Sequence, residues 1–215
     1  MNVHDLHRMR ADLPTIRPAR RDDAASLTPL VYASGPAVFD YVFGAAGRPA
    51  TDFLHYALAS GEGLLGWRAH HVAEQDGEVI GSVALYAGDD AVRLSRVTVM
   101  QYFRFHLPWT AFGVLRRAMR VGEMQAPPGE RDLYIAHLAV ADHWRRRGIA
   151  SRMLAYAQRV AALHGCRHSV LDVADGNIAA RRLYERHGFF TASLPRRAPD
   201  ARVPVSLRMQ RAAPI

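Results

Sequence analysis

The sequence predicts an α/β fold of the α+β type, with a central, mixed but mostly antiparallel sheet flanked by helices. Three observations predict it. A strand-like run from Leu133 to Val140 leads through a glycine turn into a helix-like run from Ile149 to His164, then a short strand from Ser169 to Val173. A strand, helix, strand order of these lengths implies a crossover and parallel pairing. Upstream, His70 to Glu74 and Glu78 to Tyr86 flank Asp76-Gly77, a hairpin signal that makes those strands antiparallel. Between the hairpin and Leu133, residues 90–130 form a stretch too long for a simple connection.

In chain order, residues 1–12 read as a loose leader and Leu13 to Pro18 as a first strand ending at proline. Asp22 or Asp23 is placed to cap a helix through Leu27 to Tyr32, which Ser34-Gly35-Pro36 breaks. A second helix covers Ala37 to Phe43 and ends at Gly44. A third starts from Thr51 or Asp52 as N-cap and runs to Ala59. Segment 90–130 reads as a helical insertion between the third and fourth strands. It is rich in aromatic residues (Tyr102, Phe103, Phe105, Trp109, Phe112), and Pro108 opens a helix. Phe112, Leu115 and Met119 form a stripe opposite Arg116, Arg117 and Arg120, while Val92 to Phe105 suits strand or helix. The insertion is expected to roof an acceptor pocket, pack against a second subunit in a homodimer, or simply cover one face of the sheet. Arg202 to Met209 reads as a last strand, after a proline-rich loop at 194–204.

The turn between Val140 and Ile149 carries Arg145-Arg146-Arg147-Gly148. Glycine lets the backbone approach an anion, and the helix that follows presents unpaired amides and the positive end of its dipole. Met153, Ala157 and Val160 continue a stripe from Ile149, with Gly165 in place to end the helix. Downstream, Asn177 is a natural N-cap, and Ala180, Leu183, Tyr184 and His187 share one helix face up to Gly188. Asn177 and Tyr184 lie seven residues apart, nearly two turns, so one ligand along that helix meets both.

The spacing Arg145-x-x-Gly148-x-Ala150, preceded by Leu138-Ala139-Val140, resembles the signature of the GNAT superfamily of acyl-CoA-dependent N-acyltransferases. A second match covers Leu171-Asp172-Val173, Asn177, Ala180, Leu183-Tyr184-Glu185 and Gly188-Phe189, so the two together span about 133–190. The resemblance implies a single N-acetyltransferase domain over 1–215, with 133–190 as its acetyl-CoA-binding core. It implies that main-chain groups of Leu138, Ala139 and Val140 grip the pantetheine arm. It further implies that the amides of Arg146, Arg147, Gly148, Ile149, Ala150 and Ser151 hold the pyrophosphate, that guanidinium groups of Arg145 to Arg147 add charge, and that Asn177 and Tyr184 face the cofactor. A backbone amide near the thioester carbonyl serves as oxyanion donor.

Tyr184 is then the expected general acid for the departing thiolate; its alternative is a core tyrosine. His137 is the candidate base on this strand; its alternative is a structural histidine. On strict alternation Tyr134, Ala136, Leu138 and Val140 share one face and His137 takes the other. The family's usual base position falls on Ala136, so Glu74 or a water relay is the substitute. The expected reaction is direct, metal-free transfer of acetyl from acetyl-CoA to a primary amine of a small molecule or peptide. A non-catalytic acyl-CoA sensor of the same fold is the alternative.

Composition sets the remaining bounds. The chain has 215 residues, a net charge of +8 and one cysteine, Cys166; all 28 basic residues are arginine. The arginines are scattered and no nucleic-acid-binding motif is present, so nucleic acid is not an expected partner. No apolar run reaches the roughly 20 residues of a membrane span, and Met1 to Arg10 lacks the apolar stretch of a secretory signal, so a cytoplasmic location is expected. No metal is expected: His70-His71 point to opposite faces of a strand, and Gly165 interrupts the helical spacing of His164 and His168.

Overall fold

A computed structural model describes residues 13–44, 47–193, 198 and 200–214. The expected leader at 1–12 and most of the loop 194–199 lie outside the described residues. The chain runs β1 (Thr15–Pro18), α1 (Ala24–Ala33), α2 (Pro36–Val42), α3 (Ala50–Ser60), β2 (His70–Gln75), β3 (Glu78–Ala87), α4 (Gly88–Phe105) and α5 (Pro108–Met124). It continues through β4 (Asp132–Val140), α6 (Ile149–Leu163), β5 (His168–Ala174), α7 (Ile178–Arg186), β6 (Phe190–Thr191) and β7 (Ser206–Ala212). One seven-stranded sheet has the order β1-β2-β3-β4-β5-β7-β6, and only the β4–β5 pair is parallel. This is the mixed, mostly antiparallel sheet expected, with two helices inserted between β3 and β4.

Local chemistry sets the elements. Asp76 and Gly77 have φ of 51° and 81°, the double left-handed turn that matches strand twist in a hairpin. Gly165, at φ 63°, follows the last residues of α6, and Gly188, at φ 79°, follows those of α7. Two expected caps are corrected. Thr51 and Asp52 lie inside the first turn of α3, which starts after Pro49. Asp23 makes no side-chain cap to α1. Its carboxylate instead takes the Arg20 amide at 2.6 Å and both terminal nitrogens of Arg17 at 2.7 and 3.0 Å. The last strand begins at Ser206, four residues later than expected, and runs on to Ala212.

Two cores flank the sheet. The first is built from α1, α2 and α3, with Leu27, Phe53, Leu54 and Leu58 almost fully buried; α4 and α5 join it through Tyr102, Ala111, Val114, Val121 and Met124. The insertion therefore packs one face of each helix against this core and leaves Val92, Met100, Trp109 and Phe112 exposed. Of its expected stripe only Leu115 packs against the core, because small residues fit between packed helices. Ala111, Val114 and Val121 face inward, while Phe112 and Met119 are each 63% exposed. The second core, on the opposite face, holds Met153, Leu154 and Ala157 of α6, Tyr184 of α7, and Ile80, Val83, Leu133, Ile135, Leu171 and Met209 from the strands. Each buried aliphatic side chain contributes about 1.5–3 kcal/mol. Among the described residues no helix is long and apolar enough to cross a membrane.

Candidate functional site

The site lies where the sheet opens. β4 and β5 are in register only from Asp132 to Tyr134 against His168 to Val170. Beyond that, β5 pairs with β7 and β4 with β3, so residues 135–140 of β4 keep one edge unpaired toward β5. An open edge of amides and carbonyls can accept an extended ligand as an added strand. Leu138, Ala139 and Val140 lie on it, all half-buried.

A β-bulge shapes this edge. Ser82 pairs with Ala139 and Ala84 with Ala136, so two residues of β4, His137 and Leu138, oppose the single Val83. His137 takes φ 52°, a left-handed conformation that costs roughly 1–2 kcal/mol outside glycine, though histidine is among the residues that adopt it more readily. The Ser82 hydroxyl donates to the His137 carbonyl at 3.1 Å. The extra residue shifts the alternation, which corrects the expected facing. His137 lies on the first-core side against Phe39 (5.8 Å between centroids) and His70 (5.3 Å), while Leu138 and Val140 pack on the second core. The other base considered, Glu74, is engaged by the Arg17 guanidinium.

Below the edge, Arg146 (φ 62°) and Gly148 (φ 77°) curl the chain into α6. A glycine suits the second of these because a Cβ there would be strained by conformation, although space around it is open. The first α6 amide bonded back along the helix is Arg152, to the Gly148 carbonyl at 3.1 Å, which leaves the amides of Ile149, Ala150 and Ser151 directed out of the N-terminus. Left-handed turns of this kind concentrate amides into an anion-binding concavity. The three arginines differ. Arg145 is ion-paired to Asp142 at 2.7 Å and donates to the Val140 carbonyl at 3.2 Å; Arg147 lies 4.8 Å from the Trp144 ring centroid; Arg146 is exposed.

On the far side of the opening, Asn177 caps α7 as expected, its carbonyl accepting the Ala180 amide at 3.1 Å. Tyr184 is buried in the second core, edge-on to Phe189 at 6.0 Å between centroids. Burial pushes its hydroxyl up to about 12, so the phenol keeps its proton across the physiological range.

Sequence reasoning weighed His70 only as a metal ligand and did not single out Ser82, Gly66, Thr98 or Gln101, which lie around the His70–His137 pair or the loop before it. The signal for the last two was present: Thr98 and Gln101 share the α4 face that carries Leu94 and Tyr102, and polar residues in a buried stripe imply hydrogen-bonding work.

A sheet parted at a bulged strand, with a left-handed turn and a helix N-terminus at its mouth, is a geometry that can accept an extended ligand with an anionic head. Residues 48–189 match the model of the acetyltransferase (GNAT) family, and the chain belongs to that family. Two curated relatives from Arabidopsis thaliana match shorter stretches. GCN5-related N-acetyltransferase 4, chloroplastic, is 36% identical over 62 residues (29% of this chain, 21% of that one), and GCN5-related N-acetyltransferase 6, chloroplastic, is 43% identical over 56 (26% and 19%). The chain thus spans about a fifth of the length of these relatives. Among solved structures, an acetyltransferase shares the fold at TM-score 0.64 and 20% identity, covering 93% of this chain and all of that one. An N-acetyltransferase from Staphylococcus aureus Mu50 does so at 0.66 and 18%, covering 91% and 99%.

Proposed function

We propose that the protein is an N-acetyltransferase that takes acetyl from acetyl-CoA and moves it directly to a primary amine of a small molecule or peptide. The observation that carries this reading is the continuity of the open β4 edge with the curled turn at Gly148. The edge suits an extended pantetheine, and the turn suits its pyrophosphate. Amides of residues 146–151 would hold the phosphates, Arg146 would supply exposed charge, and main-chain groups of Leu138 to Val140 would align the arm.

His137 is the proposed base. Burial, and then the neighbouring His70, lower it to about 3, so the ring is neutral and carries a lone pair at working pH. So weak a base does not deprotonate a free ammonium. It takes the proton as the C–N bond forms and the nitrogen becomes acidic. Tyr184 donates to the departing sulfur. Its pKa lies above a thiol value near ~8.5, so it acts chiefly by hydrogen bonding, and the amine proton balances the one the thiol gains. The sensor alternative draws on Ala136 standing at the family's usual base position; His137 on the Tyr134 side of the sheet is the observation that favours transfer over it.

The test is release of free thiol from acetyl-CoA with a panel of amines, alongside acetyl-CoA affinity by calorimetry. Amine-dependent release supports transfer. Tight binding with no release for any amine would move the protein to the sensor class, and absent binding would overturn both.

A further inference from the structure

We propose that His70 is a positioning residue that holds the His137 imidazole in the tautomer with a bare Nε2, and that the inserted helix α4 sets His70 in place. The inference rests on His137 as the base. His70 is fully buried on β2, and its Nδ1 lies 2.8 Å from the Gly66 carbonyl oxygen. A carbonyl only accepts, so the His70 proton is on Nδ1. The ring is neutral, which makes Nε2 an acceptor. That atom lies 3.1 Å from Nδ1 of His137, and the ring planes agree within 10°. The nitrogens are much closer than the centroids, so the rings meet edge to edge through one N–H···N bond. His137 must then carry its hydrogen on Nδ1, leaving the Nε2 lone pair for the amine. Once that lone pair takes a proton, the positive ring still donates to His70, and His70 to Gly66, with no group left unpaired.

The support extends outward. A Cβ on Gly66 would overlap the Glu62 carbonyl oxygen, so only glycine allows this turn. Thr98 of α4 accepts the Leu64 amide at 2.9 Å. Gln101 donates to the Ser60 hydroxyl at 2.7 Å and the Glu62 carbonyl at 2.9 Å. Gly63 sits so close that a Cβ would come within 2.6 Å of the Thr98 hydroxyl. The insertion thus fixes the loop whose carbonyl orients His70. The groups described against the pair are Phe39 from α2, Ser82 from β3 on the His137 carbonyl, and His71 from β2 beside His70; no carboxylate or guanidinium is among them.

The test is long-range 1H–15N spectroscopy of the imidazoles in wild type, His70→Phe and His70→Gln. It is paired with thiol release from acetyl-CoA using aniline and glycylglycine as amines. Wild type is expected to show His137 protonated at Nδ1. His70→Phe should move the proton to Nε2 and lower turnover at least about tenfold with the KM for acetyl-CoA unchanged, and His70→Gln, which keeps an acceptor, should restore both. Should the Phe variant not fold, Thr98→Val, expected to give a mixed tautomer, takes its place. An unchanged His137 tautomer in His70→Phe, or full turnover with the tautomer reversed, overturns the positioning role. If His137→Ala keeps full turnover, the base reading itself fails; neither amine reacting leaves the tautomer spectra to decide the His70 role alone.

Discussion

Arg208 of β7 holds Asp172 of β5 through two hydrogen bonds, Nε to Oδ1 at 3.0 Å and Nη2 to Oδ2 at 2.7 Å, with side chains only 11% and 4% exposed. The Tyr134 hydroxyl donates to the same carboxylate at 2.6 Å, and Arg208 also reaches the Ala126 carbonyl beyond α5. The pair joins β4, β5 and β7 where the sheet begins to part. Beyond Tyr134 no ladder holds β4 to β5, so this cluster sets where the opening starts.

Removing one partner of a buried ion pair strands the other. Asp172→Asn should therefore lower stability by about 3–5 kcal/mol, read from urea unfolding. The larger cost is Arg208 left without a counter-charge, so Asp172→Asn with Arg208→Met together should lose less than Asp172→Asn alone. A single variant within about 0.5 kcal/mol of wild type would show that the pair carries no net stability.

Gly148 separates backbone from charge. Space around it is open, so Gly148→Ala meets only the left-handed penalty of about 1–2 kcal/mol and should fold with modestly weakened acetyl-CoA binding. Gly148→Glu places a negative side chain where phosphates are proposed to sit, and affinity should drop by about 100-fold or more. Equal affinity for the two variants, measured by calorimetry, would remove the phosphate role of this turn.

How far the site was legible in the sequence depends on the interaction that fixes each part. The turn at Gly148, the Asn177 cap and the Asp76-Gly77 hairpin are local, and residue types within a few positions determine them. The facing of His137 is not local. It depends on a bulge that exists only in pairing with Ser82 to Ala84: alternation within β4 placed His137 opposite Leu138 and Val140, as found, but also opposite Tyr134 and Ala136, whose side it shares. The stripe on α5 held only at Leu115 for a related reason: Phe112 and Met119 have the right period, but closeness to the core favoured Ala111 and Val114. His70 was weighed only as a metal ligand, because the bonds that orient it come from partners 4 and 67 positions away, Gly66 and His137.

Tyr184→Phe removes one oxygen from a side chain otherwise packed in the second core, so the fold should tolerate it. If the hydroxyl serves the departing sulfur, kcat should fall about 10–100-fold while acetyl-CoA affinity changes less than about twofold. The measurement is steady-state thiol release beside calorimetric binding. Unchanged kcat would return Tyr184 to a purely structural place beside Phe189.

One buried histidine, His70, and two half-buried ones, His71 and His137, predict how the fold responds to acid. Burial lowers His70 and His71 to about 4 and His137 to about 3, against an ordinary 6.5. In the unfolded chain these rings bind protons near their ordinary value. Below about pH 6.5 the unfolded chain therefore holds protons that the folded one refuses, and the free energy of unfolding falls as pH drops. The contribution is complete above that pH and is lost progressively down to the folded values. For His70 alone the shift corresponds to on the order of 3 kcal/mol; the bond it shares with His137 prevents simple addition. Asp23, held below 3.8 because Arg17 and the Arg20 amide outweigh its burial, acts at lower pH and in the same direction. Urea unfolding should thus show a steep loss of stability between about pH 6.5 and pH 4, beginning above the range where carboxylates titrate. His71→Phe, which keeps a ring against Tyr156, should make that decline shallower. A flat profile over this interval would mean that the three rings are solvated in solution, and the neutral His70–His137 pair would fall with it.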